Sequence, residues 1–158
     1  MSTDPIRIRR ATLDDLPSLS ILFDAYRRFY QQPADLPRAR AFIETRLKNG
    51  ESVIYLAETA AGSAIGFCQL YPSFCSVIAA PIYVLYDLFV TPEARQAGAA
   101  RGLLAASETD ARQRGFARLD LTTAKTNLPA QALYESMGWI RDEVFYTYNR
   151  DLAPNLGG

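Results

Sequence analysis

Arg95-Gln96-Ala97-Gly98-Ala99-Ala100-Arg101 places small side chains where a helix should begin, with an arginine at either end. The first amides of a helix lack intrahelical partners and share about half a positive charge, so they attract anions. Side chains this small admit a bulky phosphate to the amides, and Arg95 and Arg101 can add charge around it. Tight packing of a helix on a sheet would use the same residues. No lysine followed by serine or threonine closes the stretch, and its glycines lack the dinucleotide spacing, which disfavours an ordinary nucleotide fold.

The chain has no histidine, which removes Ser-His-Asp and Cys-His catalysis and most zinc chemistry. No metal is expected, and proton transfer falls to tyrosine, carboxylates, cysteine, lysine, water or the substrate. Lysine plus arginine number 17, as do aspartate plus glutamate, so no basic field draws the protein to nucleic acid or an anionic membrane. Cys68 and Cys75 have neither zinc nor disulfide-scaffold spacing and read as reduced core or near-core residues. No apolar run approaches the roughly 20 residues of a membrane span, and the opening MSTDPIRIRR holds no apolar stretch, so a cytoplasmic protein is expected. A length of 158 residues suits one domain, 1–158, with its core at 6–152 and a loose tail at 153–158.

The elements that must position the helix mouth follow from periodicity. Alternation over 6–11 predicts a half-buried strand, and Thr12 caps a helix whose apolar stripe runs through Leu16, Leu19, Phe23, Tyr26 and Tyr30. A second helix over 38–50 stops at Asn49-Gly50. Strands at 52–58, 64–74 and 81–90 form a meander. A helix at 97–114, a strand at 117–123, a helix at 127–138 and a strand at 143–152 complete the order. Three successive strands followed by β-α-β indicate a mixed sheet, part antiparallel and part parallel.

Val90, one residue, Pro92, two residues, then Arg95-x-x-Gly98-x-Ala100 resembles the coenzyme A pyrophosphate loop of the GNAT N-acetyltransferase superfamily. The likeness extends from 6 to 152, because the family's order of elements is matched there. TTAKTNLPAQALYESMGW is similar to the family's later segment, in which an asparagine caps a helix, an aromatic sits within it and glycine-aromatic ends it. Asn127 and Tyr134 lie about two turns apart, on one helix face. The resemblance implies an α/β fold of the α+β type, with a mixed sheet of about six or seven strands flanked by about four helices. FYQQ, IGFCQLYPSFCS and LYDLFVTPEAR look most like the polyamine/histone and spermidine/spermine acetyltransferase members.

That resemblance implies a role for each residue. Strand Leu88-Phe89-Val90 holds the pantetheine arm through the backbone of Leu88 and Val90. Arg95 and the amides of Gln96, Ala97, Gly98, Ala99, Ala100 and Arg101 hold the pyrophosphate. Asn127 contacts the pantetheine, and Tyr134 lies near the thioester sulfur. An amine with an ordinary pKa near ~10.4 must lose a proton before it attacks the thioester. Tyr134 is then the general acid that protonates the departing thiolate, and the N–H of Val90 or a neighbour meets the oxyanion. With no histidine available, Asp87, or water linked to it, is the expected base. It lies two residues from position 89 on the same side of the pleat. Tyr86 stands where some spermidine/spermine-type relatives carry a glutamate.

Tyr26, Tyr30, Gln69, Tyr71, Phe74 and Asp87 are the expected acceptor contacts, since aromatic walls with a carboxylate suit a cationic amine. Core packing or a dimer interface would use the same aromatics. The expected reaction moves an acetyl group from acetyl-CoA to a small cationic amine, which a polyamine, a lysine analogue or another amino acid would supply. A protein lysine as acceptor, another acyl-CoA as donor, and a noncatalytic coenzyme A-binding sensor or interaction module remain open. A homodimer is expected, with VFYTY at 144–148 as a paired or exchanged edge.

Overall fold

A computed structural model describes residues 5–153. These form two compact units, one up to Leu121 and one from Thr122 onward. The first contains the sheet. Its strands β1 (Arg7–Arg10), β2 (Val53–Glu58), β3 (Ala64–Cys75), β4 (Ala80–Val90) and β5 (Leu119–Asp120) lie in chain order. The first four are antiparallel neighbours, and β5 joins β4 in parallel.

Helices α1 (Leu16–Phe29) and α2 (Leu36–Lys48) cover one face of the sheet, and α3 (Ala99–Gln113) covers the other. Strand alternation sorts the core between them. Ile54, Leu56, Phe67 and Phe89 pack against Leu16, Leu19, Leu22, Phe23 and Ile43. Ala57, Cys68 and Val90 pack against Ala99 and Leu103. Both cysteines are free, and Cys68 is buried, as the sequence led us to expect. On the α3 side, Asp110 accepts hydrogen bonds from the hydroxyls of Tyr55 (2.7 Å) and Tyr83 (2.8 Å), tying α3 to β2 and β4.

The helix boundaries show what local chemistry decides. Thr12 caps a short 3-10 turn, Leu13–Asp15, through a capping box closed by Asp15, and α1 follows directly. Helix α2 starts at Leu36 rather than 38, because Asp35 caps it through the Arg38 amide at 3.2 Å and Pro37 falls in its first turn, where a missing N–H costs little. Helix α3 starts at Ala99 rather than 97, because Gln96 (φ 69°) and Gly98 (φ 89°) are both left-handed.

The sheet corrects one expectation. Among the described residues it has five strands rather than six or seven, and residues 143–152 form no strand. Aromatic and branched residues suit a pleated, half-buried surface, but they make a strand only when a neighbour supplies ladder bonds and burial. Val144, Phe145, Tyr146 and Tyr148 are instead 78–90% exposed. The strand expected at 117–123 shrinks to Leu119–Asp120. In the second unit, α4 (Leu128–Ser136) is capped by Asn127, whose side chain accepts from the Ala130 amide at 3.3 Å. Of the tail, residues from 154 on lie outside the described residues.

Candidate active site

Cross-strand pairing of β3 with β4 slips once, so that Gln69 opposes Asp87 while Leu70 opposes Leu85, leaving Tyr86 unopposed. Such a bulge re-aims side chains. Tyr86 and Asp87 therefore both reach the α1/α2 side, where Asp87 is 5% exposed. Its Oδ2 accepts from Gln69 Nε2 at 2.6 Å, and Gln69 Oε1 accepts from the buried Ser52 hydroxyl at 2.7 Å. Burial pushes the Asp87 carboxyl above its ordinary value, against the opposing pull of the Gln69 and Tyr26 hydrogen bonds. The Tyr26 phenol is raised by burial and by the Asp87 charge, and its hydroxyl donates to the Tyr86 carbonyl at 3.3 Å. Burial also raises the Tyr71 phenol, so both hydroxyls stay protonated donors.

These groups border a cavity of about 570 Å³. Of the residues expected to contact an acceptor, Tyr26, Tyr30, Tyr71 and Asp87 line it. Gln69 is fully buried behind Asp87 and acts on the cavity only through it. Phe74 lies at the far end of β3 opposite Pro81, is 79% exposed, and is not part of the lining. Residues that sequence reasoning passed over are Phe23, Arg27, Gln32, Phe42 and Tyr86. Phe23 and Arg27 are four apart on α1, on the face that carries Tyr26 and Tyr30, and that spacing was the available signal. Phe23 stacks on Phe42 of α2 with ring centroids 5.4 Å apart, closing the wall between the helices.

Among the described residues, no strand pairs with the other edge of β4 toward its end. The ladder bond from the Thr91 N–H to the Ile65 carbonyl (2.8 Å) fixes the alternation, so the backbone groups of Leu88 and Val90 point away from β3. On that side β5 pairs with β4 only at Tyr83 and Val84. Past Val90, a 3-10 turn at Pro92–Ala94 leads into α3. Gly98 is the N-cap of α3; no side chain caps that end, and a Cβ built on Gly98 would meet nothing within 4 Å. The first intrahelical bond runs from the Gly102 N–H to the Gly98 carbonyl, leaving the Ala99 and Ala100 amides without an intrahelical acceptor. Arg95 folds back: its Nε donates to the Val90 carbonyl at 3.0 Å, and its guanidinium lies 5.6 Å from the Phe29 ring centroid and 5.8 Å from that of Phe89. The capless mouth and open edge suit an extended ligand with an anionic group.

In the second unit, Asn127 stands at the start of α4 and the half-buried Tyr134 near its end, its ring 6.1 Å from that of Trp139. Among the described residues, no group of three or more histidine, cysteine or acidic side chains could hold a metal ion, and no helix is long and apolar enough to cross a membrane.

Comparison with known proteins agrees with this architecture. The family model for the GNAT acetyltransferases matches residues 19–139. The uncharacterized N-acetyltransferase YhfO of Bacillus subtilis (strain 168) is 46% identical over 143 residues, which is 90% of this chain and 95% of YhfO. The crystal structure of a probable acetyltransferase superposes with a TM-score of 0.87 at 39% identity, over 93% of this chain and 98% of the other. The aminoglycoside N-acetyltransferase AAC(6')-Iy in complex with CoA shares the fold, with a TM-score of 0.77 at 23% identity over 96% of this chain and 98% of its own. With the family model spanning most of its length and YhfO matched almost end to end, this chain belongs to the GNAT family of acetyltransferases.

Proposed function

We propose that the protein transfers the acetyl group of acetyl-CoA to a small cationic primary amine bound in the aromatic cavity, whether a polyamine, a lysine analogue or another amino acid. One observation carries this reading. Within four residues, β4 turns a buried carboxylate, Asp87, toward an aromatic cavity and, among the described residues, leaves the backbone of Leu88 and the Val90 N–H without a strand partner along its edge, the Val90 carbonyl being taken by Arg95.

Acetyl-CoA supplies an activated acyl group on a good leaving thiolate. In our reading the backbone of Leu88 and Val90 holds the pantetheine arm, with Asn127 as a further contact. The amides opening α3, from Gln96 to Arg101, hold the pyrophosphate. Arg95, tied to the Val90 carbonyl, acts by fixing the loop's path. Asp87, directly or through a water, takes a proton from the ammonium so that the amine can attack. The Val90 N–H donates to the developing oxyanion, and Tyr134 returns a proton to the sulfur. Gln69 and Ser52 orient the Asp87 carboxylate.

The decisive experiment is thiol release from acetyl-CoA over a panel of primary amines. Turnover with at least one small amine is expected. Tyr134→Phe should lower kcat about a hundredfold while coenzyme binding stays near wild type. Saturable coenzyme binding with no transfer to any amine would defeat the substrate assignment, and unchanged turnover of Tyr134→Phe would defeat the acid assignment. A homodimer belongs to the same reading, supported by the exposed run Val144, Phe145, Tyr146 and Tyr148.

A further inference from the structure

Arg27 sits in the last turn of α1 and lines the cavity. Its Nη1 is buried and has no hydrogen-bond partner among the described residues. A guanidinium N–H withdrawn from water without an acceptor is costly, so such a group is expected to meet one when the site is filled. Its neighbour Arg28 is accounted for by Asp24, at 3.4 Å. Around Arg27 the wall is mainly aromatic, including Phe23, Tyr30 and Phe42, and among the described residues the cavity's only other charged lining group is Asp87. The lining thus offers one cation and one anion separated by apolar surface. A ligand that satisfies both carries an anion and an ammonium on an apolar body. A polyamine satisfies one and brings positive charge toward the other.

We propose that Arg27 is a specificity residue whose Nη1 donates to a carboxylate of the acceptor, and that the acceptor class is therefore amino acids, with an apolar or aromatic body preferred. Guanidinium pairs naturally with the planar two-oxygen carboxylate. The volume of about 570 Å³ accommodates an amino acid with a large side chain. The proposal rests on the acetyl-transfer reading for its choice of acceptor, but the carboxylate site itself can be tested without turnover.

The kinetic test uses matched pairs that differ only in the carboxylate: phenylalanine with phenylethylamine, and lysine with cadaverine. Thiol release at saturating acetyl-CoA should favour the carboxylate-bearing member in at least one pair by about tenfold or more in kcat/KM, the size expected of one charge-assisted hydrogen bond. Arg27→Met should bring that ratio close to one, and Arg27→Lys should restore part of it. A wild-type ratio near or below one in both pairs, or a preference that survives Arg27→Met, overturns the proposal. The binding test is calorimetry of N-acetylphenylalanine and phenylpropionate against the wild type and Arg27→Met, with circular dichroism confirming that the variants fold. Binding that Arg27→Met abolishes supports the carboxylate site even if no amine is acetylated, in which case the acetyl-transfer reading alone fails. Brisk acetylation of decarboxylated amines with no carboxylate binding retains that reading and removes this one.

Discussion

Asp87 is ionised only at a cost, because burial favours its neutral form, and the sign of that effect separates its two effects on the protein. Its folded pKa lies above its ordinary value, so the folded state holds the proton more tightly than the unfolded chain. Stability therefore falls as pH rises from the ordinary carboxylate value through the folded one, and stays at the lower level above it. Asp87→Asn keeps an oxygen to accept from Gln69 and removes the charge. At neutral pH it should melt at or above the wild-type temperature, and the difference should vanish in acid below the ordinary carboxylate range. Its kcat/KM should fall about a hundredfold or more, and the acid limb of the pH–rate profile should disappear. A destabilised Asp87→Asn with normal turnover would make the carboxylate structural only.

At the scale of elements, the α3 mouth is built from backbone conformation more than from side chains. Gly98 sits at φ 89° with open space where a Cβ would go, so substitution strains the backbone without a clash. Gly98→Ala should cost about 1 kcal/mol in denaturant unfolding and should raise the KM for acetyl-CoA more than that for the amine. Gly66 presents the opposite case. Its Cβ would stand 2.8 Å from the Phe89 carbonyl oxygen, on the strand that carries Asp87. Gly66→Ala should cost about 1–3 kcal/mol and lower kcat by shifting β4.

At the scale of the whole molecule, a charge clasp fastens the first strand to the rest of its unit. Arg9 Nε donates to Glu58 Oε1 at 2.6 Å, and its two terminal nitrogens grip the Asp15 carboxylate at 2.6 and 2.9 Å. The Arg9 hydrogen bonds hold both carboxyls below their ordinary values. Their contribution is therefore complete above the ordinary carboxylate pKa and is lost as pH falls through the folded values. Arg9→Met should lose about 1–3 kcal/mol at neutral pH. The gap to wild type should close in acid, which thermal melts between neutral and strongly acidic pH will show.

The sequence by itself determined what depends on neighbours along the chain. Thr12 and Asn127 announce helix starts because a cap acts within three residues, and the meander is legible because strand alternation repeats every two. The small residues of 95–101 and the candidate Asp87 were visible for the same reason. Tertiary structure alone decided what depends on partners distant in the chain. The last strand failed because ladder bonds come from a neighbour that the segment's own propensity cannot provide, and Phe74 left the cavity because it lies at the far end of β3. The bulge at Tyr86 and the burial of Arg27 Nη1 arise only when β3 and β4, or α1 and α2, close on one another. A charge at a helix end looks like an ordinary dipole partner until packing withdraws it from water.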